Sequence, residues 1–191
     1  MVKNGGFSED DAVLIAKVKK GDTQAFEELM LKYEDGVYNV VAGIVGSYHD
    51  ASDVVQEAFF KAYVNIRKLK GEKKFAAWVY TIAVNCAKNR YKQQKREEKR
   101  DGGSEDSNAG SVRDDSMQVE GVAENNETTE FVAQSIGKLS PEHRAVLILR
   151  HMQGMGYDEI AKVMKCSLGT VKSRIARARE SLAVVIRDKI N

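Results

Sequence analysis

Basic and hydroxyl side chains near the C-terminus are spaced to bind nucleic acid. Residues 157–164 and 168–182 have the pattern of two short helices joined by a three-residue turn. The apolar residues of the second helix recur at three- and four-residue steps: Leu168, Val171, Ile175, Ala178 and Leu182. Its opposite face carries Thr170, Lys172, Ser173, Arg174, Arg177 and Arg179. The DNA major groove admits a helix and accepts hydrogen bonds from such side chains, so the pattern predicts a DNA-recognition helix. The alternative is a solvated basic face.

The turn between these two helices follows one local rule and breaks another. Ser167 is a favoured N-cap residue, and groove-facing residues cluster in the first turns after such a cap. Lys165 stands where glycine is usual, because the residue that closes the first helix often takes a positive φ. A lysine in that conformation costs on the order of 1 kcal/mol. The prediction of a helix-turn-helix therefore includes a strained residue at position 165.

A second group of residues suited to nucleic acid lies between positions 75 and 100. Three aromatic residues, Phe75, Trp78 and Tyr80, precede a stretch from 88 to 100 in which seven of thirteen residues are Lys or Arg. Aromatic rings stack on unpaired bases and cationic side chains neutralise phosphates, so this segment favours single-stranded nucleic acid. Two alternatives stay open: Phe75 and Trp78 can belong to the core, and the basic stretch can be a solvated face.

An acidic and amide face indicates a protein contact. Asp53, Gln56 and Glu57 share one side of a predicted helix whose other side is apolar. The apolar stripe comprises Val54, Val55, Ala58, Phe59, Ala62, Tyr63 and Ile66. Phe60 lies beside the acidic face, and an exposed phenylalanine there favours a contact surface over the alternative, an ordinary solvated face.

Nothing in the sequence supports catalysis, a metal site or a bound cofactor. His49, His143 and His151 are scattered, without a zinc-binding spacing, a nucleophile elbow or a phosphate-binding loop. Cys86 and Cys166 form neither a CxxC motif nor a Cys/His cluster, which indicates reduced thiols in a cytoplasmic protein. No apolar run reaches the roughly 18 residues of a membrane span, and the first residues lack a signal peptide. Membrane insertion and secretion are therefore not expected.

Composition divides the chain into two basic parts and an acidic connection. The 191 residues, 42% of them hydrophobic, suffice for one or two domains with a substantial core. Residues 101–130 hold nine acids against one arginine, so they carry −8 while the remainder carries +10. This stretch is also rich in Gly, Ser and Asn, which is typical of a flexible linker. We expect an all-α protein with helical domains at 8–98 and 131–189, joined by a flexible acidic linker at 99–130.

Local signals also predict where several helices begin and end. A helix begins after Asp22, which follows Gly21 and can act as its cap. Another runs from Phe75 to about residue 99 without an intervening Gly or Pro. Pro141 follows Ser140, which is the favoured arrangement for the first residue of a helix behind its N-cap.

Four segments resemble the extracytoplasmic-function group of the sigma-70 family. They are residues 49–63 (HDASDVVQEAFFKAY), 75–90 (FAAWVYTIAVNCAKNR), 139–147 (LSPEHRAVL) and 169–179 (GTVKSRIARAR). Their order and separation match the family. The resemblance implies two helical domains, region 2 and a region 4 with a helix-turn-helix. It also implies an alternative sigma factor, which binds core RNA polymerase, recognises the minus-ten and minus-thirty-five promoter elements and promotes transcription initiation.

The same resemblance implies three sets of binding residues. Core polymerase, through the clamp helices of its largest subunit, would bind Asp53, Gln56, Glu57 and Phe60. Minus-ten DNA, with a flipped base, would bind Lys70, Lys73, Lys74, Phe75, Trp78, Asn85, Lys88, Arg90 and Lys92. Minus-thirty-five DNA would bind Ser167, Gly169, Thr170, Lys172, Ser173, Arg174, Ala176 and Arg177. The polymerase flap region and an anti-sigma factor are the further partners implied, with no membrane insertion.

Two other functions fit parts of the sequence. A stand-alone helix-turn-helix regulator would use the C-terminal domain but leave the acidic face and the aromatic-basic helix unused. A helical RNA-binding protein would use the N-terminal domain to bind single strands.

The two domains can also pack together in the free protein, with the acidic segment against the basic faces. Such packing would hide residues 88–100 and the helix that begins at Leu168.

Overall fold

The computed structural model describes residues 9–71, 75–100 and 135–190, and within these ranges it contains helices and turns but no β-strand. The helices of the N-terminal part are α1 (Glu9–Lys19), α2 (Thr23–Val45), α3 (Tyr48–Asn65) and α4 (Phe75–Arg100), with a 3-10 turn at Ile66–Lys68. The C-terminal part contains α5 (Pro141–Leu147), a π-helical turn (Ile148–Met152), α6 (Tyr157–Met164) and α7 (Leu168–Ile190). The all-α expectation is confirmed. Apart from residues 99 and 100, which continue α4, the predicted linker lies outside the described residues.

Glycines and capping side chains set the boundaries of the first helices. Gly21 separates α1 from α2 with a φ of 101°, and the Asp22 Oδ1 atom accepts a hydrogen bond of 3.1 Å from the Ala25 amide. Gly46 ends α2 with a φ of 78°, in the left-handed region that glycine enters without a Cβ clash. The next residue, Ser47, caps α3 by accepting from the Asp50 amide at 3.4 Å. The hydrogen bond from Ala25 to Asp22 confirms the cap predicted at Asp22.

A buried carboxylate holds α1 against α2. Asp11 is fully buried and accepts hydrogen bonds from the Tyr33 hydroxyl and the Lys32 ammonium group. Burial and the interaction with Asp11 raise the pKa of Tyr33, so its hydroxyl remains protonated and continues to donate. Because an unpaired buried carboxylate is costly, these contacts fix how α1 lies on α2.

Aromatic rings and an ion pair then position α4 against α2 and α3. The Phe75 ring is fully buried, with its centroid 5.4 Å from the ring of Tyr33 and 6.1 Å from that of Trp78. Further along α4, Arg90 forms an ion pair with Asp50 in the first turn of α3, and Gln94 donates to the same carboxylate at 2.8 Å. Burial raises the pKa of Asp50, but the hydrogen bonds from Arg90, Ser47 and Gln94 outweigh it and leave the pKa below its usual value.

The predicted helix-turn-helix is present as α6 and α7. Lys165 ends α6 with a φ of 53° and a ψ of 51°, so the lysine does take the left-handed conformation expected at this position. The Cys166 amide donates to the Ala161 carbonyl at 3.0 Å and closes the end of α6. Ser167 then caps α7, because its Oγ atom accepts from the Thr170 amide at 3.1 Å. Both local predictions for this turn are confirmed.

The two parts of the chain pack into one continuous core. α2 contacts α5 and the π-helical turn, and α4 contacts α6, in addition to the contacts that each makes within the N-terminal part. Buried residues from both parts, such as Val41 of α2 and Leu149 of the π-helical turn, belong to the same apolar cluster. The division into domains at 8–98 and 131–189 stays a prediction from the sequence.

Residues 9–71, 75–100 and 135–190 contain neither a membrane-spanning helix nor a cluster of metal ligands. None of the helices there is long and apolar enough to cross a bilayer. Likewise, the described His, Cys, Asp and Glu residues form no group of three or more that could hold a metal ion.

Candidate nucleic-acid interfaces

The N-terminal half of α7 presents a polar face on a rigid base. Val171, Ile175 and Ala178 are buried, which anchors the helix on the C-terminal part of the core. The exposed side carries Gly169, Lys172, Ser173, Ala176 and Arg177. These residues recur at three- and four-residue steps and therefore form one strip along the helix. A strip that combines two cations, a hydroxyl and two small residues suits the edges and phosphates of a major groove.

Hydroxyl groups order the first turn of this face. The Ser167 and Thr170 hydroxyls lie 2.8 Å apart, and the Ser173 hydroxyl donates to the Thr170 carbonyl at 3.0 Å. Ser167 and Ser173 are exposed and Thr170 is half-buried. The first amides of a helix have no partner within the helix, so this end of α7 is suited to a phosphate beside the candidate groove face.

Arg174 points away from the exposed strip of α7. It forms an ion pair with Glu142 in the first turn of α5, and it is half-buried. His143 lies beside this pair; burial, together with the charges of Arg174 and Arg177, lowers its pKa. The structure therefore places Arg174 at the junction of α5 and α7, apart from Lys172 and Arg177, although the sequence grouped all three.

One predicted apolar position on α7 is more open than expected. Leu168 was placed in the buried stripe, yet 38% of its surface is exposed. It is the first residue of α7, where the helix has no preceding turn to cover the side chain. Leu182, at the other end of the stripe, is half-buried.

α4 carries a second face suited to nucleic acid. Trp78, Asn85 and Lys92 are seven residues apart and therefore lie on one side of the helix. Trp78 and Asn85 are half-buried and Lys92 is exposed, so each presents part of its side chain to solvent. Asn89 is exposed on the same side of α4. The sequence analysis did not include it, although its position four residues after Asn85 places both amides on one helix face. An indole, two amides and a cation on one face can stack on, hydrogen-bond and neutralise a single strand.

The other six predicted minus-ten residues lie off this face, at its edge, or outside the described residues. Phe75 is fully buried, so it packs in the core, which was the alternative left open for it. Arg90 lies on the side of α4 that faces α3, where it binds Asp50. Lys88 lies at the edge of the face, and its Nζ atom donates to the Met164 carbonyl of α6 at 3.2 Å. Lys70 is exposed before α4, whereas Lys73 and Lys74 lie outside the described residues.

α3 brings together all four residues predicted for the protein contact. Asp53, Gln56 and Glu57 are exposed, and 68% of the Phe60 surface is exposed beside them. Glu57 pairs with Lys61 one turn later, and the Lys61 ammonium lies 3.6 Å from the Cys86 sulfur of α4. The α3 face therefore combines carboxylates, an amide and an apolar ring on one accessible surface.

The apolar part of this surface is larger than the sequence indicated. Val64 is 61% exposed and Tyr63 is 38% exposed, three and four residues after Phe60. Tyr63 belongs to the apolar stripe predicted from the sequence. Its ring packs edge-on against Phe26, with the centroids 5.0 Å apart, and remains partly accessible. Contiguous exposed rings and aliphatic groups are typical of a protein contact surface.

The packing of the two parts does not hide the α7 face. Lys172, Ser173, Ala176 and Arg177 remain exposed, contrary to the expectation that the helix beginning at Leu168 would be covered. On α4, Lys88 is half-buried and contacts α6, while Lys92 and Arg96 are exposed. The acidic segment that was expected to lie against these faces is outside the described residues.

Comparison with known families places both parts of the chain in one group. Residues 29–97 match the family described as Sigma-70 region 2, and residues 132–182 match Sigma-70, region 4. RNA polymerase sigma-H factor of Pseudomonas aeruginosa is 36% identical over 91% of this chain and 92% of its own length. The ECF RNA polymerase sigma-E factor of Escherichia coli strain K12 is 38% identical, over 90% of this chain and 92% of the relative.

Solved structures show the same fold. CnrH, in complex with the cytosolic domain of CnrY, superposes with a TM-score of 0.66 at 23% identity, over 94% of this chain and 99% of that one. The sigma factor RpoE of Bartonella quintana, in complex with the anti-sigma factor NepR, gives a TM-score of 0.71 at 21% identity, over 85% and 96%. With these matches, the chain belongs to the extracytoplasmic-function group of the sigma-70 family. It is an RNA polymerase sigma factor, a protein of promoter recognition and transcription initiation.

Proposed function

We propose that three faces of this sigma factor each bind a different component of the initiation complex. The α3 face, with Asp53, Gln56, Glu57 and Phe60, binds the clamp helices of the largest polymerase subunit. The α4 face around Trp78 and Asn85 captures the minus-ten strand. The exposed strip of α7 reads the minus-thirty-five element. The C-terminal domain also contacts the polymerase flap region, and the protein acts in the bacterial cytoplasm, on the nucleoid when polymerase is bound.

The α7 strip is the single observation that carries this proposal. Its exposed face combines Lys172 and Arg177 with small residues that allow close approach to bases, while Val171 and Ile175 hold the opposite face in the core. Its position in the chain also fits, because α7 is the second helix of the helix-turn-helix, and the α4 face offers a second candidate nucleic-acid surface. A stand-alone regulator would leave the α4 face without a role, and an RNA-binding protein would leave the α7 strip without one.

Strand capture on α4 explains how melting proceeds without a chemical energy source. Unstacking a base costs a few kcal/mol. Stacking that base on an indole returns about 1 to 3 kcal/mol, and a hydrogen bond from the Asn85 amide adds to this. The proposed role is therefore one of binding, with no catalytic step assigned to this chain.

An anti-sigma factor is a further proposed partner. One structural relative, RpoE of Bartonella quintana, is in complex with the anti-sigma factor NepR, and another, CnrH, is in complex with the cytosolic domain of CnrY. An anti-sigma factor could bind the exposed apolar group on α3, which is formed by Phe60, Tyr63 and Val64. A partner bound there would compete directly with core polymerase.

Charge reversal on α3 tests the polymerase contact. We expect Asp53→Lys with Glu57→Lys to weaken binding to core polymerase at least tenfold, because both carboxylates become cations on the contact face. Titration of a fluorescently labelled chain with core polymerase measures the affinity. Glu27→Lys with Glu28→Lys is the matched control, since these two exposed carboxylates on α2 give the same change in net charge away from the face.

The control double variant should bind core polymerase as the native chain does. Retained helical circular dichroism and retained binding of a minus-thirty-five duplex show that either variant is folded. Equal affinity of the α3 variant and the native chain for core polymerase would remove α3 from the proposed function.

A further inference from the structure

The guanidinium group of Arg144 on α5 is a buried cation for which the described residues provide no counterion. Only 6% of the residue is exposed, and its Nε atom is buried without a hydrogen-bond partner. None of the ion pairs among the described residues includes it. Burial lowers the pKa of Arg144, and the described side chain that opposes this shift is the phenol of Tyr91, not a carboxylate. A guanidinium stays protonated in proteins, and a buried charge normally has a partner of opposite sign.

The side chain of Arg144 runs along the end of α2 towards the turn that precedes α3. Its Cβ atom lies 3.9 Å from the position that a Cβ atom of Gly43 would occupy, and its Nη2 atom lies 4.0 Å from the corresponding position of Gly46. Gly46 is exposed, and apart from its chain neighbours no other described atom comes within 4 Å of its Cβ position. The guanidinium therefore faces open space beside Gly46, where a small ligand can approach.

The first turn of α3 brings further hydrogen-bond donors to the same place. α3 is 18 residues long, and Ser47, the residue after Gly46, is its N-cap. The first amides of a helix have no partner within the helix, and the helix dipole makes this end attractive to an anion. Asp50 lies in the same turn, but its carboxylate is paired with Arg90 and also accepts a hydrogen bond from Gln94. The unbalanced charge beside the turn between α2 and α3 is therefore the cation of Arg144.

We propose that Arg144 and the first turn of α3 form a binding site for a small oxyanion of the phosphate class. The planar guanidinium can donate two parallel hydrogen bonds to phosphate oxygens, and backbone amides at a helix N-terminus bind the remaining oxygens. The bound anion supplies both the counterion that Arg144 lacks and an acceptor for its Nε atom. A side chain buried this deeply is out of reach of a phosphate within duplex DNA, so the ligand is a free ion.

Such a site makes the contribution of Arg144 to stability depend on the anion. Without the anion, the buried unpaired charge costs free energy, and an apolar side chain of similar length removes that cost. With the anion, charge-assisted hydrogen bonds favour the folded chain, because only the folded chain assembles the site.

Thermal unfolding of the full chain in inorganic phosphate tests the site. Circular dichroism measures Tm in phosphate and in sodium chloride of equal ionic strength and pH, for the native chain, Arg144→Met and the control Arg67→Met. Arg67 is an exposed cation on the 3-10 turn, so the control makes the same change in net charge away from the site. Phosphate salts stabilise folded proteins in general, and the comparison between variants removes that effect.

We expect the native Tm to rise with phosphate and then level off, with a gain over chloride of about 3 °C or more at about ten times the dissociation constant. Arg67→Met should show the same saturable rise. Arg144→Met should show none, and its Tm in chloride should equal or exceed that of the native chain. An equal rise in the native chain and Arg144→Met would overturn the site.

A carboxylate introduced at Gly46 provides a second test, which does not depend on the folding of Arg144→Met. Gly46→Asp places a carboxylate beside the Nη2 atom of Arg144. Gly46→Asn is the matched control, because both side chains tolerate the positive φ and only one is charged. We expect Gly46→Asp to melt above Gly46→Asn in chloride and to lose the phosphate response, which Gly46→Asn keeps at least in part. An equal phosphate response in the two variants would contradict the site.

Nuclear magnetic resonance of the arginine Nε–H groups gives the direct readout. The signal absent from the Arg144→Met spectrum belongs to Arg144, and it should shift as phosphate is added to the native chain, while that of Arg67 should not. A stationary Arg144 signal would overturn the site and would assign its counterion to another part of the chain. None of these measurements involves a promoter, so either outcome leaves the proposed function as it stands.

Discussion

Backbone strain at a single residue marks the turn of the helix-turn-helix. Lys165 holds a left-handed conformation in which its Cβ atom crowds the following carbonyl, at a cost of about 1 to 2 kcal/mol. The surrounding contacts keep it there, since the Cys166 amide must reach the Ala161 carbonyl for α7 to begin at Leu168. The sequence revealed this strain because the turn requires a positive φ and the chain lacks glycine at that position.

We expect Lys165→Gly to raise the free energy of unfolding of the full chain by about 1 kcal/mol, since glycine adopts this φ without a clash. For a chain of this size that corresponds to an increase in Tm of about 2 to 4 °C. Lys165→Ala is the matched control: it removes the same long side chain but keeps the Cβ atom, so it should bring no gain. Thermal unfolding followed by circular dichroism measures both, and an equal Tm for the two variants would contradict the strain argument.

The sequence predicted which residue types form the candidate sites, but not which neighbours their side chains contact. The sequence grouped Phe75 with Trp78, and Arg90 with Lys92, because each pair belongs to the same aromatic or basic stretch. Phe75 is buried because Tyr33, more than forty positions away, packs on its ring. Arg90 turns to α3 because Asp50 lies there. Such choices depend on tertiary neighbours, which spacing along one helix cannot specify.

At the scale of elements, α4 separates a structural side from a solvent-facing side. Its structural side carries Phe75 and Arg90, and the solvent-facing side carries Trp78, Asn85 and Lys92. If the solvent-facing side captures a melted strand, substitutions there should impair open-complex formation more than the binding of closed duplex DNA. Variants on the structural side should lack this selective effect.

We expect Trp78→Ala and Asn85→Ala each to reduce the fraction of open complex by about fivefold or more, corresponding to a loss of about 1 to 3 kcal/mol of stacking or hydrogen bonding. Permanganate reactivity of thymines in the minus-ten region measures this fraction. Arg90→Gln is the control, because it lies on the opposite side of α4 and should leave the reactivity unchanged. Native reactivity in the Trp78 and Asn85 variants would contradict the strand-capture role, as would unfolding of the Trp78 variant, which would assign the indole to the core.

Whole helices were well predicted because their signals are local. The cap at Asp22, the helix from Phe75 to about residue 99 and the start at Pro141 follow from neighbouring residues, and the structure confirms all three. Exposure along a helix was predicted less well. Tyr63 and Leu168 fit the apolar spacing, but the described residues cover each of them only in part.

The arrangement of the whole molecule was the least predictable feature. The composition divides the chain at an acidic stretch, and a linker of that kind gives no information on how the parts meet. Their contact depends on small residues: Gly36 and Gly43 make room for Gln153 and Ile148, more than one hundred positions later in the chain. The spacing of seven between the glycines was visible in the sequence, but its meaning required the partner surface.

The two proposed DNA-binding faces on one chain would also determine how tightly the protein holds a promoter. Once one face is bound, the linkage raises the effective concentration of the other, so that two weak contacts together become strong. This gain is lost when geometry prevents simultaneous binding.

The central claim is that this chain gives core RNA polymerase its promoter specificity through two separate faces. The most direct measurement is selection of transcribed templates from a randomised DNA library by purified core polymerase with the chain added. We predict chain-dependent initiation from templates enriched in two sequence blocks at a fixed separation, with Lys172→Ala and Arg177→Ala abolishing enrichment of the upstream block alone. Absence of chain-dependent initiation, or enrichment of a single block that survives both substitutions, would contradict the claim.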